Sequence, residues 1–165
     1  MSFAATAENA PDGWRSRNAI ALAEIENPVV RKGLEVWERA RGMRRLPSRK
    51  DMTPRALQSI LSHVAVLRVI DGGEEFEFRI VGDKIRVQQG VPLQGKRMAD
   101  VEEMLPAYGS VLRRIYRNAY EAGEACAFRG WYTRPADNHP FFHEVVIMPL
   151  GDDGQHVDHL IVVAA

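Results

Sequence analysis

Residues 76–83 read FEFRIVGD, and they constrain the fold of this chain more than any other stretch. Phe76, Phe78 and Ile80 alternate with Glu77 and Arg79, which places three apolar side chains on one face of a strand. The alternation ends at Gly82. Beyond it lies DKIRVQQ, too short to persist as an isolated helix, followed by glycines at 90 and 95. The chain therefore leaves a half-buried strand for an irregular stretch from Gly82 to Met98, with Ile85, Val87 and Leu93 as its anchors.

The flanking segments decide what surrounds that break. Val30, Leu34, Trp37 and Ala40 fall at the spacing of one helix face, which predicts a first helix over 29–43, beginning after Asn27-Pro28. Thr53 as N-cap, Pro54 at the first helical position and a stripe of Leu57, Ile60 and Leu61 predict a short second helix. HVAVLRVI, residues 63–70, is rich in β-branched residues and joins the strand at 75–81 through Asp71-Gly72-Gly73, the chemistry of a hairpin. Downstream, Leu105, Tyr108, Val111, Leu112, Ile115, Tyr116 and Ala119 recur at helical spacing, and Gly123 stands where a C-terminal cap belongs. Three strands complete the chain, over 124–132, 141–150 and 157–164, divided by turn-forming residues. This order reads as α+β, with helices gathered on one face of an antiparallel sheet. Residues 1–28 read as an arm with helical character near Ile20 to Ile25.

At 165 residues the chain has room for one core, and 45% hydrophobic with 27% charged residues is the composition of a globular protein. No run approaches the roughly 18 apolar residues of a membrane span. The first 27 residues carry Glu8, Asp12, Glu24 and Glu26, which do not fit a secretion signal. A single cysteine, Cys126, excludes an internal disulfide and suits a reducing compartment, so a cytoplasmic location is expected. Basic and acidic residues balance at 22 each, but Arg39, Arg41, Arg44, Arg45, Arg49, Lys50 and Arg55 crowd one short run against Asp51 alone. Any anionic partner would meet the chain there. Structural use of the run is the alternative, with Arg49 and Asp51 fixing a turn by hydrogen bonds.

Phe78-Arg79-Ile80-Val81-Gly82, Ile85 and Gly90, followed by Leu93-Gln94-Gly95-Lys96, resemble the core motif of small stand-alone PAS-like proteins of alphaproteobacteria. Trp37, Arg41 and Pro47 to Pro54 are similar to that family's opening motif, and Met148-Pro149-Leu150-Gly151-Asp152-Asp153-Gly154 to its later turn. The resemblance runs from about Val29 to Ala164. It implies a five-stranded antiparallel PAS-like sheet with helices on one face and an N-terminal helical extension. The chain would then divide into a flexible arm (1–28), a helical cap (29–62) and a PAS core (63–165). In that fold the crossover curls over one sheet face, so Gly82 would let the strand turn sharply, while Gly90 and Gly95 would supply backbone angles closed to bulkier residues. A pocket would lie beneath. Read instead as ordinary loop glycines, the same three imply no cavity.

The resemblance implies a sensory or regulatory module that binds a small ligand and signals through protein contacts. PAS domains commonly carry haem, flavin or a metabolite. The haem-binding branch places a histidine on the long helix, and residues 98–122 contain none; the photochemical flavin branch needs a cysteine in the crossover, whereas Cys126 lies on a later strand. Both cofactors are disfavoured, and the ligand stays unknown. Alternation within 141–147 puts His143 with Phe141, Val145 and Ile147, and within 124–132 puts Phe128 and Tyr132 with Cys126. With Phe78, Ile85, Tyr108 and Leu112 these give a mostly apolar lining with a few polar groups: Phe78, Ile85, Tyr108, Leu112, Phe128, Tyr132, His143 and Ile147. A fully packed core is the competing reading. No two of the five histidines have the helical spacing of a zinc pair, although His156 and His159 could pair near a turn.

No G-x-S-x-G, phosphate loop or HExxH is present, and the carboxylates fall in solvated positions, so catalysis is not expected. Partners would be a small molecule and another signalling protein. A second copy would pair through the 29–43 helix, whose stripe can alternatively lie on the sheet. A ligand-free dimerisation module is the alternative function, and an RNA or anion binder acting through residues 39–55 the weaker one.

Overall fold

A computed structural model describes residues 17–165. Six antiparallel strands form one sheet: β1 (Arg17–Ile20), β2 (Val64–Ile70), β3 (Glu75–Val81), β4 (Cys126–Thr133), β5 (Pro140–Leu150) and β6 (His159–Ala164), in the order β1-β4-β5-β6-β2-β3. The sequence accounts for five of them. The sixth, β1, comes from the expected arm and adds to the edge of β4, with Arg17 opposite Gly130 and Ile20 opposite Ala127. A single 3-10 turn at Leu22–Glu24 replaces the helical character expected near Ile20 to Ile25. The arm before Arg17 lies outside the described residues.

Four α-helices accompany the sheet: α1 (Pro28–Arg41), α2 (Asp83–Gln89), α3 (Met98–Met104) and α4 (Pro106–Ala122). α1 starts where Asn27 Oδ1 accepts from the Val29 N–H at 2.9 Å, with Pro28 in the first turn, where its missing donor is harmless. α4 stops at Gly123, which adopts φ 63° in the left-handed region. The helix expected near 54–61 is instead a series of tight turns ending in a 3-10 turn at Leu61–His63. The Ile60 N–H donates to the Leu57 carbonyl three residues back, a geometry that buries Leu57 and Ile60 together and leaves Leu61 exposed.

Both faces of the sheet are covered. α2, α3 and α4 pack on one face over Leu67, Phe76, Phe78, Val145, Ile147, Leu160 and Val162. On the other, α1 lays Val30, Leu34 and Trp37 against Val146, Met148, Ile161 and Val163. Gly33 lets this helix come close, because a Cβ there would sit 2.6 Å from Val163 Cγ2. The stripe of α1 is therefore spent on its own sheet and is not the exposed surface that pairing through 29–43 requires. It also explains why His143 to Leu150 are buried without alternation.

Within β3 the expected face breaks. Leu67 is opposite Phe78 while Val66 is opposite Ile80, so Arg79 is an extra residue and the strand rotates beyond it. Phe76 and Phe78 stay buried, Val81 rejoins their core, and Ile80 is 42% exposed.

Candidate functional site

The chain turns out of β3 at Gly82, whose N–H donates to the Val64 carbonyl at 2.8 Å. Its φ of −64° is open to any residue, so the sharp turn expected here does not itself require glycine's backbone freedom. Close approach is the reason for glycine: a Cβ would lie 2.4 Å from the Ser62 carbonyl oxygen and 2.6 Å from that of Leu61. Gly90 and Gly95 do adopt positive φ, 67° and 79°. Between them the crossover returns to the free edge of β3, where Gly95 donates to the Phe78 carbonyl and Phe78 to that of Lys96. This closes the edge and holds α2 over the sheet.

Helical spacing then sets what α2 presents. Ile85 and Gln89, four residues apart, are buried, whereas Val87, expected as an anchor, is 59% exposed. Beneath α2, between α4 and the sheet, lies a cavity of about 40 Å³. That is room for roughly three waters. Phe78, Ile85, Tyr108, Leu112, Phe128, His143 and Ile147 all line it. Tyr132, the remaining candidate, is fully buried and reaches the cavity through Gln89, donating its hydroxyl to Gln89 Oε1 at 2.7 Å. The Tyr108 hydroxyl donates to the same oxygen. One buried amide oxygen thus ties α2 to α4 and β4, serving hydroxyls that would otherwise be stripped of water.

Gln89 was missed by reading residue types. The signal was its spacing of four from Ile85 on a segment short enough to pass for loop. His143 is 2% exposed, with its ring stacked on Tyr132 at 5.5 Å and 19°, while Phe141 stands edge-on to both, at 4.8 Å from Tyr132 and 5.3 Å from His143. The cavity wall is mostly apolar, with polar groups from Gln89, Tyr108, Tyr116 and His143. Such a surface can hold a small molecule by burial of its body and by hydrogen bonds to one end. Cys126 packs at the margin of the same core, where burial pushes its thiol up to about 11.

One residue beyond His143, on the opposite sheet face, Glu144 is 4% exposed. Its carboxylate accepts from Arg129 Nε at 2.7 Å and from the N–H groups of Asn27 at 2.5 Å and Glu26 at 3.1 Å. Burial alone would raise its pKa, but these donors outweigh it and hold the carboxyl below its ordinary value. The start of α1 is therefore pinned to the strand that carries His143.

Away from the cavity, Asp51 accepts from the Ser48 N–H and from Arg44 Nη2, both at 2.8 Å, and its own N–H donates to Ser48 Oγ, a reciprocal cap that fixes the turn and lowers the Asp51 pKa. Arg49, expected to share that role, is exposed. His156 and His159 lie beside Asp153 and Asp158, and among the described residues no three His, Cys, Asp or Glu converge as metal ligands would. No helix among those residues is long and apolar enough to cross a membrane.

The family model described as PAS domain matches residues 26–162, and the chain belongs to that family. Solved structures with similar folds include a sensory box sensor histidine kinase from Vibrio cholerae, at 14% identity and TM-score 0.42, covering 70% of this chain and 92% of that one. The PAS domain of an HTR-like protein from Haloarcula marismortui matches at 16% identity and TM-score 0.41, covering 71% and 93%. An RNA-binding light-oxygen-voltage receptor matches at 15% identity and TM-score 0.48 over 94% of this chain, which spans 39% of that receptor. No curated protein matches the sequence.

Proposed function

We propose that the chain is a cytoplasmic, non-catalytic sensor of the stand-alone PAS type described from alphaproteobacteria, which takes a small ligand between the sheet and α2–α4 and signals through protein contacts. The observation that carries this reading is the Gln89 oxygen shared by Tyr108 and Tyr132 at the wall of a mostly apolar cavity. A ligand that competes for those hydroxyls shifts α2. A ligand that presses on His143 moves the strand that anchors Glu26 and Asn27 through Glu144, so occupancy is felt at α1. The sites for the ligand are Phe78, Ile85, Tyr108, Leu112, Phe128, His143 and Ile147, with Gln89 and Tyr132 setting its polar end. A cavity of about 40 Å³ suits a molecule of few heavy atoms and is too small for a haem or flavin ring without displacement of α2.

The same small volume supports a second reading, a ligand-free interaction module. Native mass spectrometry of protein purified from cells separates the two. The sensor reading expects an adduct that is lost on denaturation and falls at least about tenfold in occupancy in Gln89→Leu, as expected when a hydrogen-bonded polar end loses its partner. Bare polypeptide, with no rise in melting temperature across a library of small metabolites, would leave the ligand-free reading standing.

A further inference from the structure

From Arg39 onward the arginines fall into two populations. From Arg68 to Arg134, all except Arg114 sit in ion pairs with carboxylates. In the run from Arg39 to Arg55, among the described residues, only Arg44 does, with Asp51. Arg41 lies over the Trp37 ring at 5.2 Å, and Arg45 reaches Gly123 at the C-terminal end of α4, where a cation complements the helix dipole. Arg39, Arg49, Lys50 and Arg55 are left exposed with neither kind of partner. Arg44, three residues beyond the end of α1, pairs with Asp51 at 2.8 Å, which brings the turn of Arg49 and Lys50 to that end of the helix. Within the same run Met43 is 105% exposed, the most exposed of the large apolar side chains described.

We propose that this surface is a docking site for an acidic segment of another protein. Three features favour carboxylates on a protein over other polyanions. Arginine outnumbers lysine six to one in the run, and its planar fork matches carboxylates in a way an ammonium does not. Met43 gives the patch an apolar anchor, and arginine with methionine is the composition enriched at protein interfaces. The run exposes no aromatic ring on which a nucleic-acid base can stack. The inference rests on the reading that the chain acts through protein contacts, and it is independent of what fills the cavity.

The test uses a fluorescein-labelled decapeptide of mixed Asp and Glu with two central leucines, read by fluorescence anisotropy on the whole chain. The wild type binds it saturably, and the affinity falls by roughly tenfold or more between about 50 mM and about 300 mM salt, as exposed charges require. The triple variant Arg39→Glu, Arg49→Glu, Arg55→Glu loses at least about tenfold with an unchanged urea midpoint, and Met43→Ser loses about threefold. If the triple variant folds poorly, the double variant Arg49→Glu, Arg55→Glu carries the test. Absence of saturable binding overturns the proposal, as does a charge variant that binds like the wild type. So does tighter binding of a ten-nucleotide single-stranded RNA or of phosphatidylserine vesicles than of the peptide. Cavity occupancy by native mass spectrometry is unchanged in the charge variants, so failure here and failure of the sensor reading give different records.

Discussion

Replacing Glu144 by alanine tests the link between the two faces of the sheet. The Glu144 side chain is 5% exposed and that of Arg129 25%. Removing one member of a fully buried ion pair costs about 3–5 kcal/mol. Arg129 keeps partial access to water, which reduces that loss to about 2 kcal/mol. The Glu26 and Asn27 N–H groups also lose a charged acceptor, together adding about 1 kcal/mol because both lie near solvent. The sum is about 3 kcal/mol for Glu144→Ala, and about half that for Glu144→Gln, which keeps an acceptor oxygen but no charge. Urea unfolding at neutral pH measures it as a shift in midpoint at constant slope. The pH dependence has a definite sign: the folded carboxyl is held below its ordinary 4.5, so its contribution is complete above that value and fades as pH falls through the folded one. The advantage of wild type over Glu144→Gln is therefore flat at neutral pH and shrinks in acid. A loss below about 1 kcal/mol for Glu144→Ala, or an advantage that grows in acid, would refute the anchoring role.

Two further outcomes follow from geometry. Gly82→Ala should destabilise the chain by about 2 kcal/mol although its φ suits alanine, because the new methyl meets two backbone carbonyls that cannot rotate away; a midpoint equal to wild type would mean that the 61–62 turn gives way. Cys126, its thiol pushed up to about 11, should react with a disulfide reagent at pH 8 far more slowly in the folded chain than in urea, and equal rates would show that the β4 margin is open.

Much of the cavity was legible in the chain because periodicity is local. Alternation along β4 and β5 put Phe128, Tyr132, His143 and Ile147 on one face, and the spacing of α4 put Tyr108 and Leu112 toward them. Gln89 was not legible by type, since an amide becomes core only when hydroxyls 19 and 43 residues away meet it. Ile80 was misplaced because a bulge is a property of two strands in register and leaves no mark on one of them.

What the sequence determined by itself was the order of β2 to β6 with α1 and α4, most of the residues they bury and the punctuation at Gly90, Gly95 and Gly123, since these depend on backbone angles and on spacing within one segment. Tertiary structure alone decided which side of the sheet α1 covers, that residues 17–20 join β4, and that Gly82 is needed for closeness rather than for its angle. Those outcomes depend on distances between segments far apart in the chain, and no local pattern encodes them.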